Sequence, residues 1–102
     1  MLIVTGYVHL DPADVERFAT DIEALIAITR AREGCLFYAV ALDDPLAGRM
    51  LAVERWRDQA ALTAHLAAPA TIAFIERWQG RMSGDVLKYD VANERPLASD
   101  SD

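Results

Sequence analysis

The sequence predicts an α+β domain, one antiparallel sheet with helices packed on a single face. Three observations carry that prediction. Strand-like runs rich in β-branched and aromatic residues interleave with helical ones in the order β-α-β-β-α-β. The chain has 102 residues, enough for one domain and too few for two. Apolar residues make up 53% of it and charged residues 25%, the balance of a folded chain. With right-handed crossovers, this order gives the ferredoxin-like β-α-β-β-α-β antiparallel sheet.

The first strand spans 2–9. Leu2, Val4, Gly6 and Val8 lie on one face, and Ile3, Thr5, Tyr7 and His9 on the other. Asp11 can cap a helix that begins at Pro12, and Asp14 places negative charge in its first turn. Val15, Phe18, Ile22, Leu25 and Ile26 recur at helical spacing, so one face of residues 12–31 is expected to be buried. Arg30 and Arg32 suit the helix C-terminus, and Gly34 ends it in a left-handed conformation.

The second strand covers 35–43. A turn through Asp43, Asp44, Pro45 and Gly48 leads to a third strand over 49–57. Asp58 caps a second helix that ends near Leu66, because Pro69 cannot continue it. A further helix, 70–79, carries Ile72, Ile75 and Trp78 on one side, and Ser83, Gly84 and Asp85 turn into a last strand, 86–92. Residues 1–92 form the domain, and 93–102 form a polar, acidic, mobile tail.

The second strand is apolar on both faces: Leu36, Tyr38, Val40 and Leu42 on one, Cys35, Phe37, Ala39 and Ala41 on the other. Leu87, Tyr89 and Val91 share a face of the last strand. A sheet covered by helices on one side only would leave such residues in water, and pairing two sheets in a homodimer removes them from it.

Composition also excludes partners. Ten basic residues against sixteen acidic ones give a net charge of −6, which repels phosphate backbones, so no nucleic acid is expected. The longest apolar run, Cys35–Leu42, is too short to span a bilayer as a helix, so no membrane is expected either. The N-terminus lacks the basic region of a signal peptide, and a single cysteine permits no internal disulfide. A cytoplasmic location is the expectation that follows.

Certain residues carry a resemblance. Glu33-Gly34-Cys35-Leu36 with Tyr38 opens the second strand; Glu54, Trp56, Asp58, Ala61, Leu62, His65 and Leu66 run from the third strand into the second helix; Gly84-Asp85-Val86-Leu87 opens the fourth. Over residues 1–92 this resembles the antibiotic biosynthesis monooxygenase (ABM) family, above all its quinol-monooxygenase-like members. The resemblance implies a dimeric α+β barrel with a pocket in each protomer. It also implies oxidation of a small quinol or polyphenol by O2, with no metal and no organic cofactor. Haem degradation, another activity of the family, uses an asparagine on the first strand, and residues 2–9 contain none. Many relatives carry a second histidine after the proline that follows the first; here Pro69 is followed by Ala70. A dimeric module that binds a small aromatic without turnover fits the same scaffold.

The candidate catalytic residues are His65, Trp56, Tyr38 and Glu54. His65, four residues after Ala61, sits on or beside the buried helix face and can take a phenolic proton; equally, it can serve the helix C-terminus structurally. Trp56 can stack on a planar ligand or donate its N–H, or simply fill the core. Glu54, on the same strand face, can hold His65 or pair with an arginine. Tyr38, Tyr7 and Tyr89 can line a pocket or pack in a core. Tyr7, Phe74 and Trp78 are the candidate ligand-pocket residues; Phe74 and Trp78 can form its apolar wall, but anchoring the last helix is the role first expected of both. Cys35 reads as a small buried residue, and His9 and His65 show no metal-ligand spacing.

Overall fold

The computed structural model describes residues 1–98. Its strands are β1 (Leu2–Leu10), β2 (Cys35–Asp44), β3 (Arg49–Trp56) and β4 (Met82–Asp90); its α-helices are α1 (Val15–Arg30), α2 (Gln59–Ala67) and α3 (Pro69–Trp78). The strands form one antiparallel sheet in the order β2-β3-β1-β4, the ferredoxin-like arrangement the sequence predicts.

Local chemistry sets the element ends. The Asp11 carboxylate accepts from the Ala13 amide at 2.9 Å and opens a 3-10 turn, Pro12–Asp14, ahead of α1. Gly34 closes the loop after α1 at φ +82°, where an added Cβ would meet the Ala61 methyl at 2.5 Å. Asp58 caps α2 by accepting from the Ala61 amide at 2.9 Å. Ala68, extended at φ −69° and ψ 139°, ends α2 and starts α3, and Pro69 occupies the first position of α3.

Register fixes the two faces of the sheet. Tyr38 stands opposite Glu54, Val40 opposite Ala52, and Val4 opposite Glu54 from the other side. These residues, with Leu2, Val8, Met50 and Trp56, face the helices. The core divides into two clusters. One gathers Leu10, Phe18, Ile22, Met50, Phe74 and Trp78. The other gathers Leu2, Val4, Tyr38, Trp56, Ala61 and Leu62.

The opposite face holds Ile3, Arg55, Phe37 and Tyr89 in one row and Thr5, Val53, Ala39 and Leu87 in the next. Among the described residues no helix covers it. Phe37, Leu87 and Tyr89 are 45%, 60% and 48% exposed.

The structure corrects four details. β4 begins at Met82, so Ser83, Gly84 and Asp85 are strand and not turn; they pair with His9, Val8 and Tyr7 and complete the β1 edge. The turn lies earlier, at Gly80, with φ +81°. On α3 the buried side is Thr71, Phe74 and Trp78, whereas Ile72 and Ile75 are exposed. The Trp78 indole donates to Asp21 at 2.7 Å, and this bond to α1 sets the phase of α3. A register irregularity between Cys35 and Phe37 takes Leu36 out of the alternation and leaves it exposed. Cys35 is half-buried. In the tail, Glu94 lies 3.7 Å from Arg55; residues 99–102 fall outside the described residues.

Candidate active site

His65 is 2% exposed and sits in the last turn of α2, on the same side as Ala61 and Leu62. Its ring stacks on the Trp56 indole, with centroids 4.9 Å apart and planes 26° from parallel. The Tyr38 ring meets it edge-on at 5.5 Å. Its Nδ1 lies 3.3 Å from the Thr71 Oγ1 on α3. Three elements thus hold one imidazole: β2 and β3 through the aromatic rings, and α3 through the hydroxyl.

Trp56 is fully buried, and its two functions are both taken within the chain. One face lies against His65, and the N–H donates to Glu54 Oε1 at 2.9 Å. The expectation that Trp56 walls the ligand pocket is therefore corrected: it stands behind His65 and positions both His65 and Glu54. Glu54 takes the indole N–H and forms no ion pair with an arginine among the described residues.

Charge is suppressed throughout this cluster. Burial, and then the Arg32 guanidinium, push the His65 imidazole down to about 4, so it is neutral at physiological pH. Burial raises the Glu54 carboxyl above its ordinary value, against the lowering effect of the Trp56 N–H. Burial, and then the Glu54 and Cys35 charges, hold the Tyr38 phenol well above its ordinary value.

A cavity of about 170 Å3 opens at the seam between the two core clusters. Tyr38, Glu54, His65 and Thr71 line it together with Val8, Phe18, Ile22, Phe74 and Met82. Leu66 and Ile75 also line it and are themselves 52% and 43% exposed, which places them at its mouth.

Of the residues expected at the site, the structure brings His65, Tyr38, Glu54 and Phe74 to this cavity. It does not bring Tyr7 or Trp78. Tyr7 is on the uncovered sheet face, where the Arg49 guanidinium lies 5.0 Å from its ring; strand alternation sends it away from Val4 and Val8. Trp78 packs edge-on to Phe18 at 5.1 Å and bonds to Asp21, anchoring α3. Tyr89 is likewise on the uncovered face. Sequence reasoning missed Thr71 and Arg32. A threonine on the apolar side of a helix, six residues beyond His65, was the available signal for the first. The signal for Arg32 was weaker, because the pairing with α2 is made only in the fold. No group of three or more side chains suited to holding a metal ion occurs among the described residues. Among those residues, no helix is long and apolar enough to cross a membrane.

The sequence profile of the antibiotic biosynthesis monooxygenase family matches residues 1–77. Several solved structures share the fold. A candidate antibiotic biosynthesis monooxygenase from Deinococcus radiodurans is 22% identical with a TM-score of 0.85, over 97% of this chain and all (100%) of that one. A Pseudomonas aeruginosa protein is 26% identical with a TM-score of 0.78, over 89% of this chain and 94% of that one. A Mycobacterium tuberculosis protein is 21% identical with a TM-score of 0.81, over 93% and 98%. No curated protein matches the sequence significantly.

Proposed function

Because the chain belongs to the antibiotic biosynthesis monooxygenase family, we propose that it is a cofactor-independent monooxygenase acting on a small quinol or polyphenol in the cavity beside His65. One observation carries the reading: a buried, neutral imidazole, fixed on three sides, lines a cavity of aromatic-ring size.

The chemistry is a four-electron reduction of O2 in which the ring gains one oxygen. A quinol and O2 give a hydroxyquinone and water. An electron-rich ring passes one electron to O2 as its hydroxyl proton passes to His65. The semiquinone and superoxide join at a ring carbon, and the imidazolium returns its proton to the peroxide. Loss of the ring C–H proton with cleavage of the O–O bond leaves a carbonyl and releases water.

Magnitudes decide the order of the first step. A phenol titrates near 10 and His65 at about 4, so proton transfer alone is uphill by about 8 kcal/mol. Attraction between the ions formed offsets about 4 kcal/mol of that at close range. The proton therefore leaves with the electron rather than ahead of it, and His65 acts as hydrogen-bond acceptor until then. Trp56 and Thr71 hold the imidazole still while this happens.

The uncovered sheet face supports a homodimer in which two such faces pack together, since Phe37, Leu87 and Tyr89 are too exposed for a lone protomer.

The test is O2 uptake by purified protein with chelator present, across single-ring and polycyclic quinols, with His65→Gln and autoxidation controls. Uptake above autoxidation that is lost in the variant is expected. Uptake retained in the variant removes His65 from the mechanism. No uptake with any substrate, together with ligand-induced stabilisation, makes the cavity a binding site without turnover.

A further inference from the structure

We infer that the C-terminal segment belongs to the dimer interface: Glu94 neutralises Arg55 of its own chain and so lets the uncovered sheet face be buried against a second copy. This rests on the reading of that face as the dimer surface.

The face carries its charge in a pattern. Its inner rows are mostly apolar, with Val53, Ala39 and Leu87 in one and Tyr7, Leu51 and Ala41 in the next. The Thr5 hydroxyl among them already donates to the Ala52 carbonyl at 3.0 Å, and Asp85 stands at the rim on the edge strand β4. Two arginines flank these rows, Arg55 beside Ile3 and Phe37 and Arg49 beside His9, both on the inner strand β3. Each guanidinium lies over an aromatic ring of the same face, Arg55 5.2 Å from Phe37 and Arg49 5.0 Å from Tyr7. Each also meets a carboxylate of its own chain. Arg49 donates to Asp43, at the end of β2, at 2.6 Å. The strand neighbours of Arg55 are apolar, and its carboxylate comes from the tail: Glu94, 3.7 Å away.

The tail is guided there. The Val91 N–H donates to the Met1 carbonyl at 2.9 Å, which carries the β4–β1 pairing past the end of β4. The chain then crosses the end of β1 towards β3, where Asn93, Pro96 and Leu97 line one hollow with Ile3 and Arg55.

Symmetry makes the neutralisation necessary. A twofold pairing of this face doubles every charge on it. An unpaired arginine on an inner strand would lose water and face like charge from the other copy, and a buried cation without a partner opposes association. With Asp43 and Glu94 in place, neither arginine is left for an acidic partner. The surface that fits is apolar and bears the same internal pairs, which is a second copy of this chain.

The test is the dimer dissociation constant, from sedimentation velocity over a dilution series, for wild type, Glu94→Ala, Arg55→Met and the double variant. Both positions lie outside the core clusters, and thermal melts check that each variant is folded. Glu94→Ala is expected to weaken the dimer about tenfold or more, and to have no effect once Arg55 is methionine. A Glu94→Ala dimer as tight as wild type overturns the inference. So does an equal weakening with and without Arg55, since the tail would then act without regard to that cation. Wild type that stays monomeric at every concentration removes the dimer reading, and the inference with it.

Discussion

Replacing His65 with glutamine is expected to remove a specific acid sensitivity from the fold. The imidazole is 2% exposed, and burial and Arg32 depress it to about 4 from the ordinary 6.5. The unfolded chain therefore binds this proton before the folded one does. The stability that depends on a neutral His65 is complete above about pH 6.5 and is lost as the pH falls through about 4. Between pH 7 and pH 5 that loss is about 2 kcal/mol, a large fraction of the ~5–15 kcal/mol that holds a domain together. Glu54, raised by burial, works in the opposite sense: its contribution is complete below its unfolded value and is lost as the pH rises through the folded one. It is present in both proteins, as are the other carboxylates, so it cancels in the comparison. Urea unfolding at pH 7 and pH 5 measures the effect. The wild type should lose about 2 kcal/mol more than His65→Gln over that interval. Equal losses, or a His65 ring proton titrating near pH 6.5 by NMR, would refute a desolvated imidazole.

Gly6→Ala should cost about 2 kcal/mol or more, because the new Cβ would lie 1.9 Å from the Asp85 carbonyl oxygen and 2.7 Å from the Val86 Cα, both backbone; an unchanged melting temperature would show that β4 can move aside. Leu87→Glu places a charge on the edge strand β4 of the uncovered face and should convert a dimer to a folded monomer by light scattering; a wild-type monomer at micromolar concentration would remove the dimer proposal. Arg32→Gln should raise the titration of His65, read from its ring protons by NMR, since the guanidinium is one of the two causes that depress it; no change would leave burial as the sole cause.

The strands were legible because alternation is local. Leu2, Val4 and Val8 against Ile3, Thr5 and Tyr7 is a pattern a single strand carries by itself, and the cross-strand partners obey it. That same pattern already placed Tyr7 on the face away from Val4. The phase of α3 was not legible: in ten residues, Ile72, Phe74, Ile75 and Trp78 cover too much of the circumference to define one side. Its phase is decided by the bond from Trp78 to Asp21, 57 residues away. Likewise, Glu54, Trp56 and His65 were legible as a group, but not what each does. A tryptophan that can stack on a ligand stacks on whatever is nearest, and here that is His65 from α2. The start of β4 was hidden for a similar reason. Ser83-Gly84-Asp85 has the composition of a turn, and only the need of β1 for a partner along its edge makes it strand.

The site separates keeping charge out from tolerating charge once it forms. His65 is held neutral and the Tyr38 phenol un-ionised, and burial works against ionisation of Glu54 as well. An uncharged phenol enters such surroundings at little electrostatic cost, whereas a phenolate would lose its hydration. The cation near His65 is Arg32. Its Nε is buried with no hydrogen-bond partner, and among the described residues its guanidinium forms no ion pair. Its field disfavours an imidazolium, and by the same sign it favours an anion formed beside the imidazole. Superoxide, in the reaction proposed above, is such an anion and would form only after the first electron has moved. In the proposed reaction Arg32 would act on the charge that develops and not on the neutral ligand, the differential effect that accelerates a step rather than merely tightening binding.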